Sequence, residues 1–71
     1  MGPSKEAQTR NNLKLGMEVD IVLKRDQKTM KLTRGKIRAI LTSAKSHSRG
    51  IKVMLETRQV GRVQEIILGV E

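Results

Sequence analysis

The chain has no cysteine, phenylalanine, tyrosine or tryptophan, and its 71 residues include one histidine and one proline. Without cysteine it forms neither disulfides nor thiolate metal sites, and it has no thiol redox chemistry of its own. Without aromatic rings it lacks the base stacking that contributes roughly 1–3 kcal/mol per base in most single-strand binders. These absences remove several classes of site before any sequence pattern is considered.

Few residues are available for catalysis. His47 is the only histidine and lies among serines of one polar segment, whereas the members of a catalytic triad normally converge from separate elements. Glu18 and Asp20 fall on outward positions of a predicted strand, where carboxylates are ordinarily solvated. Gly50 and Gly61 are isolated and belong to no phosphate-binding loop. We therefore predict a protein that is not an enzyme and has no catalytic residue, metal site, cofactor or small-molecule substrate.

Long apolar runs are also absent. No stretch approaches the roughly 20 apolar residues of a membrane span, and residues 1–12 lack the apolar region of a signal peptide. The expectation is a cytoplasmic protein with no membrane partner. Residues 1–12 are polar and without periodicity, which predicts a disordered tail, and we interpret its first residues, MGPS, as partly a cloning remnant. Residues 13–71 are predicted to form one small domain.

The chain has an excess of positive charge. Fifteen Lys and Arg residues against seven Asp and Glu give a net charge of +8. Between Lys24 and Lys52 there are ten basic residues and one acidic residue, a net +9, so the rest of the chain is close to neutral. A concentrated positive field favours polyanions such as nucleic acid, or an acidic membrane or protein face. The alternative is a charged surface that confers solubility and has no partner.

Alternation of apolar and polar residues predicts short β-strands. The clearest runs over residues 17–24, where the odd-numbered positions are apolar. In residues 31–41 the inward positions change from even to odd across Arg34 and Gly35, with Leu32 and Leu41 both predicted to face inward. An extra residue at a glycine is typical of a β-bulge.

The remaining segments complete a small barrel. Residues 42–50 are predicted to be a loop, and residues 51–55 and 60–63 two strands joined by a hairpin turn. Residues 64–67 are predicted as one helical turn and residues 68–70 as a short last strand. The predicted fold is all-β, a small SH3-like barrel of about five short strands with one short helical turn near the C-terminus.

Basic side chains occupy outward positions of these strands and of the loops that join them. The predicted nucleic-acid-binding residues are Lys36, Arg38, Lys45, Arg49, Lys52, Arg58 and Arg62. Because aromatic stacking is unavailable, such a surface would mainly contact phosphates, which position a nucleic acid without reading its sequence. We expect weak sequence specificity, a steep salt dependence, and RNA or a ribonucleoprotein as partner rather than DNA.

A second surface is predicted from apolar residues on outward positions. Val22, Ile40 and Met54 belong to three different strands and are candidates for a patch that binds a protein partner or a second copy of the chain. A curved barrel wall that buries both of its faces at the corners explains these three residues equally well. A protein-interaction or self-associating module, using this patch and open strand edges, is therefore the alternative function.

The segments GMEVDIVLKRDQ, KLTRG, GIKV and VGRVQ together resemble the YwbE-like family of small uncharacterised bacterial and archaeal proteins. The resemblance spans about residues 13–67 and implies an SH3-like, KOW-type barrel, a fold often seen in proteins that touch RNA, ribosomes or the transcription machinery. It implies no activity, because a fold does not fix a function.

Two positions depart from the pattern of that family. The family usually has glycine where Met30 stands, and an acidic residue followed by glycine where this chain has Thr57 and Arg58. Loss of the second glycine predicts either a different turn in the last hairpin or a residue held at a strained φ.

Overall fold

The structure, a computed structural model, describes residues 2–69 and shows a closed antiparallel barrel. Within this range there are four strands, β1 (Glu18–Leu23), β2 (Leu32–Ile40), β3 (Lys52–Leu55) and β4 (Val60–Leu68), and one short helix, α1 (Lys5–Gln8). One-turn 3₁₀ helices lie at Arg10–Asn12 and Lys24–Asp26. Each strand pairs with the next, and β4 returns to pair with β1. The prediction of a small all-β barrel is confirmed.

The core is made by the inward-facing residues of all four strands and of the segment before β3. The fully buried large side chains are Val19, Ile21, Ile37, Ile51, Val53, Leu55 and Val63. Most of them are β-branched, which suits the pleated wall of a sheet. Burying each such side chain contributes about 1.5–3 kcal/mol. The alternation predicted for β1 is correct, because Val19 and Ile21 both face the interior.

The predicted helical turn at residues 64–67 is wrong. These residues belong to β4, whose pairing with β1 shifts register so that Ile21 lies opposite Val63 while Val19 lies opposite Ile66. The shift brings two apolar residues three positions apart toward the same core, a spacing that imitates one turn of a helix. The predicted last strand at 68–70 does not form separately: Leu68 ends β4, and Val70 is outside the described residues.

The β-bulge predicted at Arg34 and Gly35 is also wrong. The ladder between β1 and β2 runs without a shift through both residues. Leu32 is 47% exposed, as is Leu41, so neither faces the interior as the alternation predicted. Leu32 lies opposite Val22 on the outside of the barrel. The apparent change of parity therefore came from a leucine that faces outward.

Position 35 favours glycine because the buried side chain of Leu55 lies against it. A Cβ atom at this position would lie 2.7 Å from Cδ1 of Leu55, so the core leucine occupies the space that a side chain would fill. The irregularity in β2 lies further along, where the register against β3 shifts between Ile37 and Ala39.

Residues 4–12, which fall within the predicted disordered tail, pack against the barrel instead. The Ser4 hydroxyl accepts a hydrogen bond from the backbone N–H of Ala7 and so caps α1. Ala7 is fully buried among the core side chains, and its carbonyl accepts from the N–H of Ile51 at 3.0 Å. Because Ala7 belongs to the core and its segment is hydrogen-bonded to the barrel, the folded unit starts before residue 13. Met1 lies outside the described residues.

Two non-glycine residues have a left-handed backbone, Met30 with φ 57° and Arg58 with φ 74°. Both stand at the positions where the YwbE-like pattern led us to expect a glycine. The expectation of a strained residue in the last hairpin is therefore confirmed at Arg58.

Replacing Arg58 with glycine is expected to raise the free energy of unfolding by about 0.5–1 kcal/mol. A left-handed conformation costs a non-glycine residue about 1–2 kcal/mol, and the greater freedom of glycine in the unfolded chain offsets part of that gain. Urea unfolding of the variant and the wild type measures the difference. Arg58→Ala is the matched control, because it removes the same charge and keeps the Cβ atom. Equal stabilisation by alanine and glycine would assign the effect to charge instead of backbone strain.

Candidate nucleic-acid interface

A groove crosses the outside of the barrel where β1, β4 and β3 lie side by side. The register places Val22 of β1 opposite Arg62 of β4, and Arg62 opposite Lys52 of β3. Directly opposed residues of antiparallel strands point to the same face, so these three side chains form one row on the outer surface. Val22 is only 5% exposed and forms the floor of the groove.

Basic side chains surround this floor. One half of the groove, about 400 Å³, is lined by Lys24, Lys52 and Arg62 over Val22 and Gly61. The 3₁₀ turn that follows β1 places Lys24 beside the floor. The other half, about 300 Å³, shares Val22 and Arg62 and is called the recess below. We refer to both halves together as the basic groove, and no Asp or Glu of the described chain is among their lining residues.

The recess is lined by less strongly charged residues. Arg49 and Arg62 contribute its cationic groups, Met30 and Val22 its apolar surface, and Gln64 an amide. The N-terminal residues 2 and 3 also line it. The two halves of the groove therefore differ in chemistry, one offering mainly ammonium and guanidinium groups and the other a mixture of apolar, amide and guanidinium groups.

Arg62 lies at the junction of the two halves and is held in place. Its Nη1 donates a hydrogen bond to the carbonyl of Gly50 at 3.1 Å, and the side chain is half-buried. Since a guanidinium carries five N–H donors, most of its hydrogen-bonding capacity is left for a ligand. Arg62 is therefore oriented without being neutralised.

Hydrogen bonds fix the loop that carries Arg49. Gly50 adopts φ +98°, a conformation that favours glycine, and its N–H donates to the carbonyl of His47 at 3.0 Å. Gln64 donates from Nε2 to the carbonyl of Arg49 at 3.3 Å. The backbone of the loop is thereby attached to β4, while the side chain of Arg49 stays exposed at the wall of the recess.

Three of the seven basic residues predicted from the sequence meet in the basic groove, namely Arg49, Lys52 and Arg62. Lys24 joins them and was missed. The sequence pattern could have identified Lys24, because it lies two residues after Val22 at the end of the first strand and so points to the same outward face. The sequence did not show that β1 pairs with β4, which brings Lys24 close to Arg62 and Lys52.

The other four predicted residues do not line the groove: Lys36, Arg38, Lys45 and Arg58. Lys36 lies opposite Glu18 in the β1–β2 ladder, and its carbonyl accepts from the N–H of Glu56, so acidic residues lie on both sides of it. Lys45 is exposed in the loop before β3, and Arg58 lies in the turn between β3 and β4. These four residues are spread over other parts of the surface.

Arg34 is neutralised by an ion pair on the outside of β1 and β2. Its Nε lies 2.9 Å from Oδ1 of Asp20, and its Nη2 lies 3.2 Å from Oδ2. These hydrogen bonds and the adjacent negative charge raise the pKa of the Arg34 guanidinium above its ordinary value. A guanidinium bound to a carboxylate in this bidentate way has its positive charge offset, so it attracts a phosphate less strongly. The positive charge along β2 is therefore less accessible to a polyanion than the sequence suggests.

The three residues predicted as an apolar patch are not brought together. Val22 forms the floor of the groove, Ile40 packs against the core, and Met54 is half-buried opposite Val60. The side chains of Arg62 and Lys52 continue the row that starts at Val22 and so occupy the outer face of β4 and β3.

His47 has a local structural role. Its Nδ1 accepts a hydrogen bond from the backbone N–H of Arg49 at 3.1 Å, which stabilises the turn before Gly50. Within residues 2–69, His, Asp and Glu side chains form no cluster of three or more that could hold a metal ion. None of the described helices is long and apolar enough to cross a membrane.

Comparison with known proteins identifies related sequences. Residues 6–66 match a family described as an uncharacterised conserved protein (DUF2196). The chain is 55% identical over 60 residues to the uncharacterised protein YwbE of Bacillus subtilis (strain 168), an alignment that covers 84% of this chain and 92% of that protein. No solved structure matches the chain significantly. The family match begins at residue 6, so it includes part of the N-terminal segment that packs against the barrel.

Proposed function

We propose a function for this chain, which belongs to the YwbE-like family of uncharacterised conserved proteins (DUF2196). It is a non-enzymatic module that binds RNA or a ribonucleoprotein through the basic groove. The observation that carries this proposal is the convergence of four cationic side chains on one concave surface: Lys24, Arg49, Lys52 and Arg62. They come from three separate parts of the chain, and no carboxylate of the described residues lines the surface with them.

A concave basic surface of this kind suits a phosphate backbone. Lysine ammonium groups interact as point charges, whereas arginine binds phosphate oxygens in a planar, bidentate way. Such contacts are independent of base sequence, and they release counterions from the nucleic acid when they form. Low sequence specificity is therefore expected. We assign binding rather than catalysis to this groove, since none of its described lining residues is a carboxylate or a histidine that could act as an acid or a base.

Fluorescence anisotropy with labelled RNA across a range of salt concentrations tests the proposal. Four phosphate contacts should give a log–log salt slope of about −3 for single-stranded RNA, since each contact contributes about −0.7. Saturable binding at physiological salt, stronger to one nucleic-acid form than to heparin, is the expected result. Equal binding to RNA, DNA and heparin that disappears at moderate salt would show that the charge is generic, and the proposal would be wrong.

The alternative function, a protein-interaction module, is supported by two exposed apolar residues. Met30 and Leu32 are large apolar residues exposed near the groove, with Leu32 opposite Val22. The barrel is closed, however, so the described strands offer few unpaired edges for strand addition. Loss of RNA binding together with a concentration-dependent increase in mass by light scattering would favour this alternative.

A further inference from the structure

Gln64 lines the recess and has a buried polar atom without a partner. Gln64 is 7% exposed, and its Nε2 donates to the carbonyls of Arg49 and Arg62, both at 3.3 Å. Its Oε1 has no hydrogen-bond partner and is shielded from water. A buried acceptor without a donor is costly, and such atoms in folded proteins are normally paired with a protein group, an ordered water, an ion or a ligand.

The orientation of this amide follows from its neighbours. Both groups facing Nε2 are carbonyl oxygens, which only accept hydrogen bonds, so turning the amide over would bring Oε1 against two acceptors. The group left for a ligand is therefore an acceptor. Oε1 is covered in the free protein, so a ligand reaches it only when the Gln64 side chain rotates and gives up part of its two 3.3 Å bonds from Nε2.

The rest of the recess suits a flat, partly apolar group. Val22 and Met30 provide an apolar surface, and the guanidinium of Arg62 can lie against the face of a ring. In a chain without aromatic residues, an arginine plane takes the place of an aromatic stacking platform. Just beyond Arg62, Lys52 and Lys24 are placed to receive the phosphates on either side of such a group.

We propose that the recess holds one unpaired nucleobase that carries an exocyclic amino group, and that this amino group donates a hydrogen bond to Oε1 of Gln64. The inference rests on the proposed RNA-binding function and identifies its substrate as single-stranded RNA. Adenine, cytosine and guanine fit, because their amino groups are free when the base is unpaired, whereas uracil has none. The resulting preference is modest and adds to the sequence-independent binding of phosphates.

The test compares two RNA oligomers that differ only in the exocyclic amino group of the base. A short oligoadenylate is compared with the same oligomer in which each adenine is replaced by purine, which lacks the exocyclic amino group. Wild-type protein is expected to bind the oligoadenylate about threefold to tenfold more tightly, the range for one hydrogen bond to a buried acceptor. The Gln64→Met variant, similar in size and without the amide, is expected to bind both oligomers equally, with the affinity that the wild type has for the purine oligomer.

The outcomes separate this inference from the function on which it rests. Equal wild-type affinity for the two oligomers would overturn the base site and leave RNA binding through the groove intact. A preference that persists in Gln64→Met would also overturn it, because another group would then read the amino group. Absence of saturable binding to either oligomer at physiological salt would overturn the proposed function itself. If Gln64→Met does not fold, the side-chain amide signals of Gln64 in ¹H–¹⁵N spectra of the wild type decide instead: they are expected to shift with the oligoadenylate and not with the purine oligomer, and equal shifts with both would overturn the base site.

Discussion

Gly50→Ala is expected to lower the free energy of unfolding by about 3 kcal/mol or more, a large part of the stability of a small domain. Gly50 adopts φ +98°, and a Cβ atom there would overlap the carbonyl oxygen of Val63. That oxygen belongs to the backbone of β4, which is held on its other side by β1. Strain at a left-handed residue and a backbone clash therefore add together.

Thermal unfolding of the variant measures this effect. A loss of 3 kcal/mol should lower the melting temperature by more than about 10 °C in a domain of this size. Gly69→Ala is the matched control, because a Cβ atom at Gly69 meets nothing within 4 Å. It is expected to melt close to the wild type. A Gly50→Ala protein whose melting temperature is also close to that of the wild type would contradict the structure of the loop between residues 47 and 51.

Removing three charges from the basic groove is expected to weaken RNA binding by about fifty-fold at physiological salt. The variant carries Lys24→Gln, Arg49→Gln and Lys52→Gln, and leaves Arg62 and its hydrogen bond to Gly50 in place. Each lost phosphate contact should reduce the salt slope by about 0.7, so the slope should fall by about 2. Anisotropy titrations at several salt concentrations provide both values.

The chain offers a control with the same net charge. Lys36→Gln, Arg38→Gln and Lys45→Gln also remove three positive charges, at exposed positions that do not line the groove. This second variant is expected to bind RNA within about threefold of the wild type, since only the long-range field changes. If the two variants lose affinity equally, binding depends on net charge and the groove has no special part in it.

Much of the barrel could be predicted from the sequence because its core residues alternate cleanly. Val19, Ile21 and Val53 occupy alternate positions of short strands, and burial follows directly from that pattern. The prediction that Leu32 faces inward was wrong because alternation does not say whether an apolar residue at the end of a strand faces in or out. The burial of Ala7 could not be predicted because one small apolar residue in a polar segment has no periodicity. Its burial depends on a tertiary contact with Ile51.

The candidate site was predictable in its chemistry and only partly in its location. Arg62 and Lys52 were identified because outward basic residues are visible in the alternation of their strands. Their grouping with Lys24 requires β1, β4 and β3 to be neighbours, which depends on the closure of the barrel. Gln64 could not be recognised, because its burial results from the register shift in β4 that resembled a helical turn.

Recognition of RNA by the basic groove is tested most directly by two-dimensional ¹H–¹⁵N NMR of the labelled protein titrated with single-stranded RNA at physiological salt. The backbone amide signals of residues 22–24, 49–52 and 61–64 are predicted to shift together and to saturate with one binding constant. Shifts centred on residues 34–38 and 56–58, or spread evenly over all the lysines and arginines, would contradict binding in the groove.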